Sequence, residues 1–282
     1  MLKALKQARA ALGLLKPEEM RQLAAQDVHI GLVASTDAGY RRLEEFLVPG
    51  DLPGAVRFEC LRRVHRASDS EVPSKVDFVI YEPGVRPHEG SFALDPHAPA
   101  ETAEAIIEAH RDLSLALARH FPGFRPAVVE TTIRNIAREN ALFAIAAALP
   151  NVVPSLIELP WAFGEFASDT FFLTANQVRM SFLIAAACGR EVGFTNQKAA
   201  IGTIVAAAFG WRALARELAG KIPLGGGLIP KGAIAFAGTY AVGKGLERAF
   251  ANQPLTDEQR RTIYDQAYQQ GIEVAKALRK QA

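Results

Sequence analysis

In the first 120 residues of the chain, short apolar runs alternate with segments whose apolar residues recur at helical spacing. HIGLVAS (29–35) is an apolar run typical of a buried strand, and residues 37–48 carry apolar side chains at helical spacing. AVRFECL (55–61) alternates apolar and polar positions and predicts a second strand, and VDFVIYEPG (76–84) predicts a third. Strands separated by helical stretches predict an α/β domain with a small, largely parallel sheet.

Residues 85–120, which complete this first part, are predicted to form a loop and a helix. Residues 85–99 contain proline and histidine and predict a loop, whereas residues 100–120 predict one helix with a shared apolar face. FPGFRP (121–126) is a natural breaker after that helix. The apolar face of the predicted helix consists of Ala103, Ile106, Ile107, His110, Leu113 and Leu117.

The second part of the chain is helical throughout. Its predicted connectors are a proline-broken segment, 151–163, and the Gly/Pro segment 222–232. Thr256 and Gln259 fit a capping box that opens the last helix. Gly202, Ala206 and Gly210 recur every four residues, a pattern that lets helix backbones approach closely. The predicted helices are 128–150, 169–189, 195–218, 233–250 and 256–279.

Charge supports the same division. Residues 1–138 contain 37 charged side chains, whereas residues 139–253 contain 16. This shift predicts a domain boundary near Pro122–Pro126. The predicted organisation is an amphipathic N-terminal helix (1–25), an α/β domain (26–127) and an all-α apolar helical domain (128–282).

Membrane association is one interpretation of the apolar composition. Hydrophobic residues make up 49% of the chain and the mean hydropathy is +0.07. The uncharged runs are nevertheless too short, or too broken by Pro, Asn and Arg, for easy transmembrane spans. Helical hairpins that enter one leaflet and a tight soluble bundle both remain open. Likewise, the basic helix at 2–15 either lies on an anionic membrane or docks on its own domain.

Chemistry-bearing motifs are absent from the sequence. The net charge of +2 gives no global preference for nucleic acid. Cys60 and Cys188 predict two buried thiols in a reducing cytoplasm, with a disulfide between them as the alternative. The six histidines form no diagnostic metal spacing, and His88 and His97 share only a loop with two acids. We therefore expect no cofactor, no metal and no catalytic residues.

The turn after the first strand is where a phosphate-binding loop would sit. That loop needs glycine and lysine, but the chain has Thr36 and Asp37, and a carboxylate there repels phosphate. Glu82, in Tyr81-Glu82-Pro83-Gly84, stands where a GTPase places its magnesium motif. Asp77 precedes the same strand, at the wrong end for the metal. These features predict an α/β domain that does not hydrolyse nucleotides.

Polar side chains interrupt the apolar helices and are the candidate site residues. A polar group at such a position costs free energy unless it is paired. One interpretation is a hydrogen-bonded network that fixes helix register; the other is a docking or switch surface for a partner. The candidates are Asn140, Asn176, Gln177, Arg179, Arg212 and Lys231.

Four segments of the helical part resemble a bacterial family of unknown function, the GTPase-associated YcjF-like domain. The resemblance is carried by RENALFAIAAALP (138–150), LTANQVRMSFLIAAACG (173–189), AFGWRALARELAGKIP (208–223) and KGAIAFAGTYAVGKGLERAF (231–250). Together they cover about 110 residues in the order found in that family.

The resemblance implies a function and a fold. Members occur fused to or beside GTPase domains, many are described as membrane proteins, and some relatives join a degenerate GTPase-like domain to this helical module. It therefore implies a non-catalytic, membrane-associated helical module that cooperates with a GTPase, with a GTPase and membrane lipid as partners. The alternative is a soluble pseudo-GTPase scaffold or interaction module with a close-packed bundle. The location is then the cytoplasmic side of a membrane, or the cytoplasm.

Overall fold

A computed structural model of the chain describes residues 15–50, 52–67, 75–85, 90–147, 169–204 and 227–279. Its contacts divide the chain into two compact units. The α/β unit comprises Glu18–Glu130 with Ala185–Glu191, and the helical unit comprises Met1–Pro17, Thr131–Ile184 and Val192–Ala282. The predicted basic helix at 2–15 lies almost wholly outside the described residues.

Four parallel strands form the sheet of the α/β unit, in the order β2-β1-β3-β4. Every residue of β1 and β3 is buried, as expected for central strands of a parallel sheet. The prediction of a small parallel sheet is confirmed. The strands are β1 (Ile30–Val33), β2 (Val64–Ala67), β3 (Phe78–Tyr81) and β4 (Phe92–Ala93).

Helices surround this sheet. They are α1 (Pro17–Ala24), α2 (Asp37–Leu47), α3 (Gly54–Leu61), α4 (Pro99–Ala109) and α5 (Ser114–His120), with 3-10 turns at Arg111–Leu113 and Pro122–Phe124. Thr36 caps α2, because its hydroxyl accepts a hydrogen bond from the Gly39 N–H at 3.0 Å. The largest fully buried side chains of this core are Tyr81, Phe121, Phe124, Ile30, Leu32, Leu43, Leu47, Ile80, Ile106 and Leu117.

The strand predicted at 55–61 is wrong, because these residues form helix α3 and the second strand is Val64–Ala67. The alternation of apolar and polar positions misled the prediction, since within α3 only Cys60 is buried. Glu59 and Arg62, three residues apart, pair at 3.2 Å in the helical arrangement. The true strand was missed because VHRA carries two polar residues in a row.

Two further differences concern residues 85–120. The loop predicted at 85–99 contains strand β4, whose Phe92 ring packs edge-on against Phe78 at 5.8 Å. The single helix predicted at 100–120 is broken after Ala109. His110 leaves the helix and its ring stacks on Phe78 at 4.8 Å, so tertiary packing overrides the helical periodicity.

The helical unit contains the predicted apolar helices. They are α6 (Arg125–Ala146, which begins in the α/β unit), α7 (Asp169–Ala187), α8 (Leu228–Phe250) and α9 (Asp257–Arg279), and residues 198–204 are also helical. The capping box of α9 is confirmed: the Thr256 N–H donates to Gln259 Oε1 at 3.0 Å, and the Gln259 N–H donates to Thr256 Oγ1 at 3.2 Å.

The connector predicted at 222–232 ends earlier than expected, because α8 begins at Leu228. Pro230 is compatible with a first helical turn, where its missing N–H would have no helical partner. The segment 151–163, together with Ala206 and Gly210, lies outside the described residues. Gly202 is exposed, and a Cβ there would meet no described atom within 4 Å.

Close helix approach occurs instead at three other glycines. A Cβ at Gly232 would lie 2.8 Å from Ile145 Cδ1, and one at Gly243 would lie 2.7 Å from two Ile133 carbons. At Gly271 of α9, a Cβ would lie 2.9 Å from the carbonyl oxygen of Ala233. The pairs Gly232–Ile145 and Gly243–Ile133 show that α8 runs antiparallel to α6. In the part of the chain that the structure describes, no helix is both long and apolar enough to cross a bilayer.

Candidate functional site

The carboxyl ends of β1 and β3 lie side by side at the centre of the sheet. From β1 the chain continues to an outer strand on one side, and β3 lies on the other side, so the strand order reverses between them. Open parallel sheets bind ligands in the crevice at such a switch point. Ser35 follows β1 and Glu82 follows β3, which places both residues there.

The Glu82 carboxylate fills this position. Its Oε2 accepts hydrogen bonds from the Ser35 N–H and the Ser35 hydroxyl, each at 3.2 Å. Its Oε1 is ion-paired with the Arg42 guanidinium of α2. The Glu82 side chain is 9% exposed and that of Arg42 is 58% exposed, so the pair joins a buried anion to the surface.

Gly39 makes room for this carboxylate. A Cβ at residue 39 would collide with the Glu82 carboxyl group, which therefore lies directly against the first turn of α2. The beginning of a helix is an anion-binding position, because its free N–H groups and the helix dipole favour negative charge. In this protein a side chain of the chain itself occupies that position.

The ionised form of Glu82 is the stable one. Burial favours the neutral acid, but the Ser35 N–H, the Arg42 guanidinium and the Ser35 hydroxyl together outweigh burial and hold the pKa of Glu82 below its ordinary value. The group is therefore a carboxylate at neutral pH. The first turn of α2 therefore has a negative charge from the chain itself beside it.

A cleft of about 300 Å³ opens beside this ion pair. Its lining is mostly apolar, with the Glu82–Arg42 pair as its polar part; the lining residues are Gly39, Arg42, Leu43, Glu82, Pro83, Leu94 and Pro96. Since Glu82 is already neutralised by Arg42, the described residues that line the cleft present no unbalanced charge to a ligand.

A second buried carboxylate ties α2 to the edge strand β2. Glu44 is 8% exposed, accepts a hydrogen bond from Arg66 Nε at 2.7 Å, and is ion-paired with Arg66 Nη2 at 2.6 Å. The Arg66 guanidinium lies over the Tyr40 ring, 5.2 Å from its centroid, and the Tyr40 hydroxyl donates to the Ala67 carbonyl. This arrangement holds α2, and with it the turn that surrounds Glu82, against the sheet.

The amino ends of the strands carry a separate polar cluster. Asp77, just before β3, accepts a hydrogen bond from the His29 N–H at 2.8 Å, which places it at the end of the sheet opposite Glu82. His29 Nδ1 lies 2.9 Å from His65 Nε2, and His29 Nε2 lies 3.1 Å from Asp27 Oδ2. Among the described residues, no group of three or more His, Cys, Asp or Glu side chains is placed to hold a metal ion.

In the helical unit the structure brings four of the predicted polar residues together. Asn140 Nδ2 donates to Thr239 Oγ1 at 2.7 Å, and Asn176 Nδ2 donates to Asn140 Oδ1 at 2.9 Å. Asn140 and Asn176 are fully buried. We call the set Asn140, Asn176, Gln177, Arg179, Glu139 and Thr239 the polar network; it joins α6, α7 and α8.

Arg179 and Gln177 extend the polar network in different directions. Arg179 Nη1 contacts Glu139 Oε2 at 2.9 Å and Asn176 Oδ1 at 3.2 Å. Gln177 Nε2 approaches Thr239 Oγ1 at 3.4 Å, and Gln177 Oε1 has no hydrogen-bond partner among the described residues. Lys231 is exposed in the first turn of α8 and takes no part in the polar network, and Arg212 lies outside the described residues.

The sequence pattern missed Glu139 and Thr239, which complete the polar network, and the partners of Glu82. Thr239 sits in an Ala- and Gly-rich helix, where a hydroxyl is an ordinary residue. The pairing of Glu82 with Ser35 spans 47 positions, and Gly39 is the one local sign of a close approach.

No family model, no curated protein and no solved structure matches the chain. The resemblance to the YcjF-like family therefore stays a prediction.

Proposed function

We propose that this protein is a non-catalytic, membrane-associated helical module that cooperates with a GTPase, with its α/β unit serving as a GTPase-like scaffold that does not bind nucleotide. The observation that carries the proposal is the Glu82 carboxylate at the first turn of α2. A phosphate at that turn would have to displace a carboxylate held by Ser35 and Arg42. It would also meet the acidic side chain of Asp37, in the first turn of the same helix.

Calorimetry with nucleotides tests the scaffold assignment. We expect no heat of binding when GTP, GDP or pyrophosphate is titrated into the protein with magnesium. Removing the internal anion by Glu82→Ala should let pyrophosphate bind weakly, because the Ser35 N–H, the Arg42 guanidinium and the start of α2 then lack their anion. Glu44→Ala removes the other buried carboxylate of α2 and is the matched control.

Two results would overturn the scaffold assignment. One is micromolar GTP binding by the unmodified protein, which would show that the carboxylate does not close the site. The other is pyrophosphate binding by Glu82→Ala that is no better than by Glu44→Ala, because the turn would then not be an anion position at all.

The membrane half of the proposal rests on the resemblance and on the low charge of residues 139–253. Fractionation of native cells tests it directly. We expect the protein in the membrane pellet, and extraction with high salt or with carbonate then separates a surface contact from insertion into a leaflet. Recovery of the whole protein in the supernatant would end this half of the proposal.

A soluble scaffold is the second candidate, and the interior of the helical unit favours it. The polar network pairs most of its buried groups across three helices. Gly232, Gly243 and Gly271 allow close helix packing, because a Cβ at each would lie only 2.7–2.9 Å from an atom of a neighbouring helix. Helices packed in this way use their small faces against one another rather than against lipid. Monodisperse behaviour without detergent, together with a supernatant location, would select this candidate.

A further inference from the structure

Two histidine rings join β1 to β2 at the amino ends of these strands. His29, just before β1, places its Nδ1 2.9 Å from Nε2 of His65 in β2, and the ring centroids are 5.0 Å apart. Among the described strands, β2 lies at the edge of the sheet and pairs with β1 alone. The two rings, which we call the histidine pair, therefore connect the edge strand to the centre of the sheet through side chains.

The Asp27 carboxylate determines which nitrogen of each ring carries a proton. His29 Nε2 lies 3.1 Å from Asp27 Oδ2, and because a carboxylate only accepts hydrogen bonds, Nε2 is a protonated nitrogen of His29. In the neutral ring, His29 Nδ1 is then an acceptor, so the proton between the two rings belongs to His65 Nε2. The hydrogen bond from His29 is the main cause that holds the pKa of Asp27 below its ordinary value.

The contact within the histidine pair tolerates one added proton but not two. A proton added at His65 Nδ1 leaves the hydrogen bond between the rings intact. A second proton, at His29 Nδ1, would set two N–H groups and two positive charges against each other across 2.9 Å. Histidine is the side chain that changes charge between about pH 5 and 8, so mild acidification is the condition that favours this repulsion.

The charged groups around the histidine pair do not balance two positive rings. Asp27 Oδ1 is ion-paired with Arg63 Nε at 3.1 Å, and Asp77 accepts the main-chain N–H of His29 at 2.8 Å. From the end of α5, His120 interacts electrostatically with Arg63 and Asp27, and burial and the nearby Arg63 hold the pKa of His120 below its ordinary value. Arg63 neutralises one of the two carboxylates, so one negative charge remains to balance two imidazolium rings.

The two ends of β2 are held in different ways. At the carboxyl end, Arg66 is ion-paired with the buried Glu44 of α2, which is not a histidine contact. At the amino end, next to the histidine pair, the Ile30 N–H donates to the Arg63 carbonyl at 2.9 Å. Repulsion between the rings would therefore open the pairing of β1 with β2 from the amino end.

We propose that the histidine pair is a pH-sensitive link between β1 and the edge strand β2, which breaks on mild acidification when both rings carry a positive charge. Its opening would expose main-chain N–H and C=O groups of β1 that β2 covers, and unpaired groups of this kind are a template for pairing with another chain. The inference goes beyond the proposed function and shares no residue with it, because Glu82 lies at the opposite end of the sheet.

Amide hydrogen exchange followed by NMR tests the link, with the full-length chain at about pH 7.5 and about pH 5. The measured quantity is the protection factor, which corrects for the effect of pH on the intrinsic exchange rate. The protection of the Ile30 N–H should fall by about tenfold or more at the lower pH, because its hydrogen bond to the Arg63 carbonyl is lost on opening. The reference is the Glu82 N–H, which donates to the Val33 carbonyl at 3.0 Å and should stay protected to within about twofold.

Glutamine at either histidine position gives a matched variant. The glutamine amide donates and accepts hydrogen bonds but does not titrate, so His65→Gln and His29→Gln each leave a pair with one titratable ring. In both variants the Ile30 N–H should keep its neutral-pH protection to within about twofold at about pH 5, and each variant tests the link independently of the other. His97→Gln is the control, because His97 is exposed in the loop before α4 and its removal should leave the acid response unchanged.

Three results would overturn the proposal. The first is unchanged protection of the Ile30 N–H between the two pH values in the unmodified chain. The second is an acid response that persists in His65→Gln or in His29→Gln, which would assign it to another group such as His120. The third is an equal loss of protection at Ile30 and Glu82, which would show that acid opens the whole sheet rather than the pairing of β1 with β2.

Discussion

Gly243 of α8 offers a quantitative test of the close packing in the helical unit. Replacing glycine by alanine inside a helix stabilises it by about 1 kcal/mol, because alanine loses less backbone freedom on folding. At Gly245, two residues further along α8, alanine should give this stabilisation without a steric cost, because a Cβ there would meet no described heavy atom within 4 Å. Gly245→Ala should therefore raise the free energy of unfolding by about 0.5–1 kcal/mol.

Gly243→Ala adds a steric cost to the same benefit. The new Cβ would lie 2.7 Å from both Ile133 Cγ1 and Cγ2, and 3.0 Å from Met180 Sδ. The methionine can move, but the two isoleucine carbons are bonded to the stiff, β-branched Cβ of α6. Overpacking of this kind costs about 1–3 kcal/mol. The backbone benefit is common to the two variants, so Gly243→Ala should be less stable than Gly245→Ala by about that amount.

Urea unfolding followed by far-ultraviolet circular dichroism measures the difference, with the slope of the transition expected to stay constant. Ile133→Ala removes both colliding carbons, so in a double-mutant cycle it should couple favourably with Gly243→Ala by about 1 kcal/mol or more. Equal stability of Gly243→Ala and Gly245→Ala, with no coupling to Ile133, would show that α6 and α8 do not touch at this glycine.

Three further predictions concern polar groups. The pKa of Glu82 is below its ordinary value of about 4.5, so the charge of Glu82 stabilises the fold above that pH. This stabilisation is lost as the pH falls through the lowered pKa. Glu82→Gln should therefore reduce the loss of melting temperature at acidic pH, as measured by thermal melts over a pH series. Thr239→Val leaves the amides of Asn140 and Gln177 without their shared acceptor and should cost about 1–3 kcal/mol in urea unfolding, whereas an unchanged midpoint would exclude the polar network as a stabilising element. Thr256→Ala removes the cap of α9 and should cost about 1 kcal/mol, with Thr256→Ser largely preserving stability.

Strong local patterns predicted the elements that obey them. The buried strands β1 and β3, helix α2 and the capping box of α9 follow from apolar runs, helical spacing and a Thr-x-x-Gln pattern within a few residues. Asn140 and Asn176 were identifiable because a buried amide needs a partner, and both amides belong to apolar helices. In each case the physical cause lies inside the segment itself.

The remaining features depend on contacts between distant segments. The alternation at 55–61 fits a strand, but this prediction was wrong because Val64–Ala67 is the segment that pairs with β1. The break at His110 comes from stacking on Phe78, which lies 32 positions earlier. No local pattern encodes either event, because tertiary packing outweighs a propensity of a few tenths of a kcal/mol per residue.

The location of the polar side chains changes where a partner surface is to be sought. The sequence indicated the polar residues of the apolar helices as a possible partner surface. In the structure, however, Asn140, Asn176 and Gln177 are buried, and Arg179 is hydrogen-bonded to Glu139. A partner could reach the two asparagines only by separating α6 from α7 and α8, which exposes the surrounding apolar core. The polar network therefore fixes how α6, α7 and α8 pack, and a partner cannot reach its two asparagines while these helices stay together.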